Sequence, residues 1–202
     1  MQHFPDCAAD VSGHGEAVAV FGGKLRELME KHLHYSEQVA LMQDLNHAVR
    51  ESLGKGHYAT MVAVGSDNRR RRTVLTSAGH PPSLFYRVSH ADWSWLETQP
   101  VREQERPVGL PLGLLADVTY DESVVDAQSG DLIVLYSDGV SEANSPTGNE
   151  LGLNGLMTMV RALDTTSAEG FGTQLVSALD NYRGGGEPED DQTVIVIRKK
   201  DI

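Results

Sequence analysis

The stretch GDLIVLYSDGV, residues 130–140, constrains the fold more than any other part of this chain. Side chains alternate faces along a strand, so Leu132, Val134 and Tyr136 fall on one side and Ile133 and Leu135 on the other. A strand that is apolar on both sides belongs at the centre of a sheet with both faces covered. Its end is as informative as its middle. Asp138-Gly139 between two strands would be an ordinary hairpin turn, yet the following VSEANSPTGNELG is polar, carries a proline and has no strand pattern. Without a second hairpin arm, a role for the Asp138 carboxylate beyond turn formation has to be considered.

The segments around this strand change period twice. Val18, Phe21, Leu25 and Leu28 recur at spacings of three and four, which predicts a helix over 17–32. A second is predicted from Ser36 as N-cap to Gly54 as stop, with Val39, Met42, Leu45, Val49 and Leu53 on one stripe. Period two and β-branched content then take over in HYATMVAVG, TVLTSAG, SLFYRV, DWSWLE, VTYDESVV and DLIVLYS. The polar SDNRRRR joins the first two as a hairpin. Helical periodicity returns over 153–163 and after Ser167, where Phe171, Leu175, Leu179 and Tyr182 share a face. A final strand, TVIVIR, follows the loop RGGGEPEDD. Runs of strands and runs of helices, with no interdomain linker, predict an α+β fold with segregated layers and a single domain over residues 1–202.

Charge and cysteine content narrow the classes of function. A formal net charge of −12 leaves no basic footprint for nucleic acid or an anionic membrane. One cysteine, Cys7, allows no intrachain disulfide, and the N-terminus lacks a basic segment followed by an apolar one. No run approaches the length of about 18 apolar residues that spans a bilayer. A cytoplasmic setting is expected.

Three acidic positions stand out. Asp138 ends the central strand, Asp190 and its neighbour Asp191 precede the last one, and Asp10 opens DVSGHG, six residues too rich in glycine for a regular element interior. Adjacent acids at a strand entrance are ordinarily a solvated loop end. Carboxylates far apart in sequence, each beside glycine or a strand boundary, are however what a hard divalent cation requires. Clustering them without a cation would be costly.

Taken in order, DVSGHG, SAGHPPSLFY, VGLPLGL, GDLIVLYSDGVSEA and DDQTVIVIR resemble the SpoIIE-like (RsbU-like) branch of the metal-dependent protein serine/threonine phosphatases, the PPM or type-2C group. The resemblance runs from about Ala9 to Arg198. It implies a β-sandwich flanked by helices in four layers, α-β-β-α, with two Mn²⁺ or Mg²⁺ ions at one end. By position, Asp10 resembles the metal-bridging carboxylate, the Val11 carbonyl the backbone ligand beside it, and Asp138 and Asp190 two further ligands. Asp191 resembles a group behind them, and Gly13, Gly15 and Gly139 glycines that let the backbone approach metals and phosphate. The implied reaction is hydrolysis of phosphoserine or phosphothreonine on a regulatory partner of the anti-sigma-factor antagonist type, by a metal-activated water and no protein nucleophile. Ser12 and Cys7 are then bystanders.

Other tempting residues receive plainer readings. His14, between two glycines, is read as a turn residue before a general acid, and His80, ahead of two prolines, as a loop anchor. Arg69–Arg72 read as a solvated turn, and Trp93 and Trp95 as sheet packing.

One departure from the family pattern bears on the metal centre. Family members carry a strand pair with a Gly-Gly-Asp motif before the first aspartate strand, and only MQHFPDCAA precedes Asp10. The N-terminal strands are therefore expected to be missing. Either the chain is a truncated form of a longer protein or its second metal site is incomplete, and the exposed sheet edge would invite homodimerisation. The enzyme reading is thus set against a catalytically weak or inactive phosphatase-like module that binds its partner.

Overall fold

The computed structural model describes residues 6–11, 16–32, 38–53, 57–67, 72–96 and 109–200. In chain order the elements are β1 (Asp6–Val11), α1 (Glu16–His32), α2 (Gln38–Leu53), β2 (Ala59–Asp67), β3 (Arg72–Ala78), β4 (Ser83–Arg87), β5 (Asp92–Leu96), β6 (Glu122–Val125), β7 (Leu132–Tyr136), α3 (Asp138–Ser141), α4 (Gly152–Arg161), α5 (Ala168–Tyr182) and β8 (Val194–Arg198). They form two compact units, one of Met1–His80 with Glu97–Asp126 and the other of Pro81–Leu96 with Ala127–Ile202. No helix among the described residues is long and apolar enough to cross a membrane.

The first unit is an antiparallel sheet in the order β1-β2-β3-β6 with α1 and α2 on one face. Met61 and Ala63 of β2 point toward the helices and are fully buried with Met42, Leu45 and Val49, the middle of the predicted α2 stripe. Ser36 and Gly54, read as the ends of this helix, lie outside the described residues. At the start of α2 the Glu122 carboxylate of β6 accepts from the Gln38 amide at 3.2 Å, supplying a partner and negative charge where helix N–H groups lack one. Asn46, also buried, accepts from the Gly113 amide at 2.8 Å and donates to the Leu115 carbonyl at 3.0 Å, so it fastens the 109–116 loop to the helix.

That loop explains two of the five sequence motifs. Gly79 of SAGHPP has φ +68°, and a Cβ there would stand 2.5 Å from Pro111 Cγ of GLPLG. The motifs lock against each other through a position only glycine can fill. Gly79→Ala should cost about 2 kcal/mol or more, from left-handed strain together with the clash. A lower denaturant midpoint checks this, and an unchanged midpoint would mean that the loop moves aside without cost.

The second unit is an antiparallel sheet in the order β5-β4-β7-β8, with α4 and α5 packed on it. β7 is central and all five of its residues are buried, as its two apolar faces require. Leu132, Val134 and Tyr136 join Leu156, Val160, Phe171, Leu175 and Leu179 in one cluster. Trp93 lies in it too, with its ring 5.1 Å from Phe171 and 5.2 Å from Tyr86, so the packing reading of this residue holds. Ser167 caps α5 by accepting from the Gly170 amide at 3.0 Å. The buried Asp131 accepts from the amides of Val88 and Gln128, each at 2.9 Å, and ties the end of β4 to the start of β7.

Candidate metal centre

The last residues of β7 and the approach to β8 meet in a small backbone lattice. Ser137 donates its amide to the Thr193 carbonyl at 3.1 Å. Its hydroxyl donates to the Asp191 carbonyl and accepts from the Thr193 amide, both at 2.9 Å. One serine therefore sews the SDG turn to the DDQ loop, and both turns carry a predicted ligand.

Asp138 does not begin a hairpin. It opens α3, where its Oδ1 accepts from the Gly139 amide at 2.9 Å and its carbonyl accepts from the Glu142 amide at 2.8 Å and the Ser141 hydroxyl at 3.1 Å. These bonds fix the carboxylate at a half-buried position. Asp190 is exposed and its Oδ1 accepts from the Asp191 amide at 2.8 Å. Gly139 lies between them: a Cβ there would stand 2.7 Å from the Asp191 carbonyl oxygen and 3.3 Å from the Asp190 Cβ. The expectation was a glycine that lets the backbone approach metal and phosphate. What approaches Gly139 in this structure is the backbone of the opposite turn.

The electrostatics agree with this grouping. The Glu142 carboxyl is held above the usual carboxylate range, first by partial burial and then by the charges of Asp138, Glu150 and Asp190. Glu142 thus feels three neighbouring carboxylates at one end of the second sheet. Glu142, Glu150 and Asp190 border an open cleft of about 590 Å³ whose lining also includes Glu189, Arg183 and Gln192. Carboxylate oxygens are hard donors, chemically suited to Mg²⁺ or Mn²⁺ and ill suited to softer metals.

Asp10 and Val11 are described in the first unit, at the end of β1, opposite Thr60 and Ala59 of β2. Both are half-buried. Thr60, the cross-strand partner of Asp10, has its hydroxyl 3.0 Å from His80 Nδ1, and His80 is buried. That is the anchoring role read for this histidine. Ser12, Gly13, His14 and Gly15 lie outside the described residues, as do Arg69–Arg71. Among the described residues, no three His, Cys, Asp or Glu side chains close on one metal-sized point. Of the predicted ligands, Asp138 and Asp190 lie on two turns that touch at Gly139, and Asp10 with Val11 lies at a strand end of the other unit.

Sequence reasoning missed Glu142, Glu150, Gln192 and Arg183. Glu142 lies one helical turn after Asp138, a spacing that signals proximity only once α3 is known to be helical. The reading of Cys7 as a bystander agrees with its surroundings: burial first and the Asp6 carboxylate second push its thiol up to about 12, away from the reactive thiolate form. Cys7→Ala should keep full activity, and no phosphoenzyme should form at this residue; a trapped thiophosphate there would overturn the assignment.

Comparison with known proteins gives these features a family. The family model for stage II sporulation protein E (SpoIIE) matches residues 7–200. The phosphoserine phosphatase RsbU of Bacillus subtilis (strain 168) is 26% identical over 196 residues, covering 95% of this chain and 54% of its own length. The chain thus spans about half the length of that relative. Among solved structures, the SiaA-PP2C domain of Pseudomonas aeruginosa superposes with a TM-score of 0.75 at 19% identity, covering 96% of this chain and 74% of that one. The PP2C phosphatase domain of SpoIIE from Bacillus subtilis, solved with a fragment of its regulatory domain, gives a TM-score of 0.74 at 22% identity, with coverages of 97% and 55%. Two antiparallel sheets with their helices match the architecture of the PP2C phosphatase domains, and the chain belongs to the SpoIIE family.

Proposed function

We propose that this chain is a phosphatase domain that removes phosphate from serine or threonine of a regulatory protein partner, of the anti-sigma-factor antagonist type, with Mn²⁺ or Mg²⁺ as cofactor. The observation that carries the reading is the contact of the SDG and DDQ turns at Gly139, beside a cleft lined by Glu142, Glu150 and Asp190. Asp138, Asp190, Asp10 and the Val11 carbonyl are the groups that would hold the ions. Divalent cations supply acidity to water and positive charge to the phosphoryl oxygens, the two needs of phosphomonoester hydrolysis. The protein's part is to fix the carboxylates. The Gly139 amide orients Asp138, the Asp191 amide orients Asp190, and Ser137 keeps their two turns in register. No serine or cysteine with an activating base is needed, which agrees with the burial that pushes the Cys7 thiol up.

The family resemblance and the phosphoserine phosphatase name of RsbU support the substrate class. A binding module that does not turn over its partner is the second reading, and it draws on the absence of three converging metal-binding side chains among the described residues. Phosphate release from a phosphomonoester and from a phosphoserine peptide, with Mn²⁺, Mg²⁺ or chelator, separates the two. Turnover that requires metal supports the enzyme. Tight binding of the phosphopeptide without turnover at any metal concentration would leave the binding module.

A further inference from the structure

Gln192 follows the two aspartates of the DDQ loop and makes a contact that neither of them makes. Its Nε2 donates to the Gly139 carbonyl at 2.7 Å, across 53 residues of sequence. Its Oε1 accepts from Nη1 of Arg183. The orientation of this amide is forced: a guanidinium only donates and a carbonyl only accepts, so the oxygen must face Arg183 and the nitrogen Gly139. Arg183, at the C-terminal end of α5, is itself committed. Its side chain is 8% exposed, its Nη2 donates to the Asp180 carboxylate, and its Nε donates to the Gly186 carbonyl at 3.2 Å. A long flexible cation is thereby pinned by two acceptors on both sides of the 183–186 turn, and what remains of its fork points at Gln192.

We infer that Gln192, oriented by Arg183, is a positioning residue that holds the SDG turn and the DDQ loop at the spacing their carboxylates need to share a divalent cation. The geometry gives the reason such a brace is required. Glu142, Glu150 and Asp190 line one cleft, like charges that repel one another when no cation is present, and Asp190 sits on an exposed loop after a run of glycines. Ser137 joins the two turns at the Asp191 and Thr193 end. Gln192 joins them at Gly139, next to Asp138, and transmits to that point the rigidity of α5. Without it, the loop is expected to relax outward, and part of the cation's binding energy must go into drawing it back.

The inference rests on the metal-dependent phosphatase reading, and its test distinguishes the two. Mn²⁺ affinity is measured by titration calorimetry, and phosphate release is measured against Mn²⁺ concentration, for the wild type, Asp138→Asn, Gln192→Ala, Gln192→Glu and Arg183→Lys. Gln192→Ala should weaken Mn²⁺ binding by about 10- to 100-fold, the usual effect of losing a partner one shell out. It should raise the metal concentration for half-maximal rate by the same factor and leave the rate at saturating metal within about threefold. Gln192→Glu keeps an acceptor for Arg183 but places an oxygen against the Gly139 carbonyl, so it should be at least as impaired. Arg183→Lys should fall between, and combining it with Gln192→Ala should add nothing, because both act through one chain of bonds. If the wild type and Asp138→Asn behave as a metal enzyme and its dead variant while folded Gln192→Ala binds Mn²⁺ like the wild type, the brace is wrong and the phosphatase reading stands. If the wild type neither binds Mn²⁺ nor responds to it, both fall. A variant that only lowers thermal stability in chelator, with metal affinity unmoved, would make Gln192 structural and overturn the inference.

Discussion

Asp138→Asn and Asp190→Asn should each abolish metal-dependent phosphate release and leave the protein folded. Each change keeps the size and one acceptor oxygen of the side chain but removes a formal charge from the site proposed to hold a dication. The loss should exceed the roughly 10- to 100-fold that follows removal of a partner one shell further out. Folding should survive for a specific reason. The Asp138 oxygen that accepts from the Gly139 amide can be kept by the asparagine carbonyl, and the same is true of Asp190 and the Asp191 amide. Removing one charge also relieves Glu142, whose carboxyl should return toward the ordinary range in Asp138→Asn. Thermal midpoints in chelator should therefore be equal to the wild type's or slightly higher above the range in which Glu142 ionises. Retained metal-dependent turnover in both purified variants would remove these residues from the mechanism.

Much of this arrangement could be read from the sequence, because the residues that reveal it act locally. Period-two alternation located β2, β3, β4, β5, β7 and β8, and the apolar faces of β7 placed it in the middle of its sheet. The polar, proline-bearing stretch after Asp138 correctly argued against a hairpin there. Failures occurred where tertiary contacts decide. DCAADV holds two acids and mostly small side chains, yet it is β1, because β2 pairs with it over six residues. VTYDESVV was read as one strand, but only Glu122–Val125 pairs with β3; the preceding Thr119 carbonyl accepts instead from the Gly109 amide, and Val118 and Tyr120 join the helix-side core. α3 is a single turn, too short to show any period. The brace between Arg183, Gln192 and Gly139 could not be read at all, since nothing in one segment announces that the other two lie beside it.

Gly139→Ala should be the most damaging substitution in the second unit that removes no functional group. The added methyl carbon would meet the Asp191 carbonyl oxygen at 2.7 Å, the Asp191 carbonyl carbon at 3.3 Å and the Asp190 Cβ at 3.3 Å. A side chain could rotate away from such a clash, but two of these neighbours are backbone, and that backbone is fastened by Ser137. The loop itself has to move. Overpacking of this kind costs about 1–3 kcal/mol in stability. The functional loss should be larger than that figure suggests, because the atoms displaced belong to Asp190 and to the Asp191 carbonyl that accepts from Ser137, and misplacing a reacting group by about 1 Å can cost roughly 100-fold in rate. Gly139→Ala should thus combine a modest fall in denaturant midpoint with a loss of turnover near that of Asp190→Asn, only part of it recovered at high Mn²⁺. Full activity with an unchanged midpoint would mean that the two turns do not press together as the structure has them, and the case for a shared cation between Asp138 and Asp190 would lose its geometric basis.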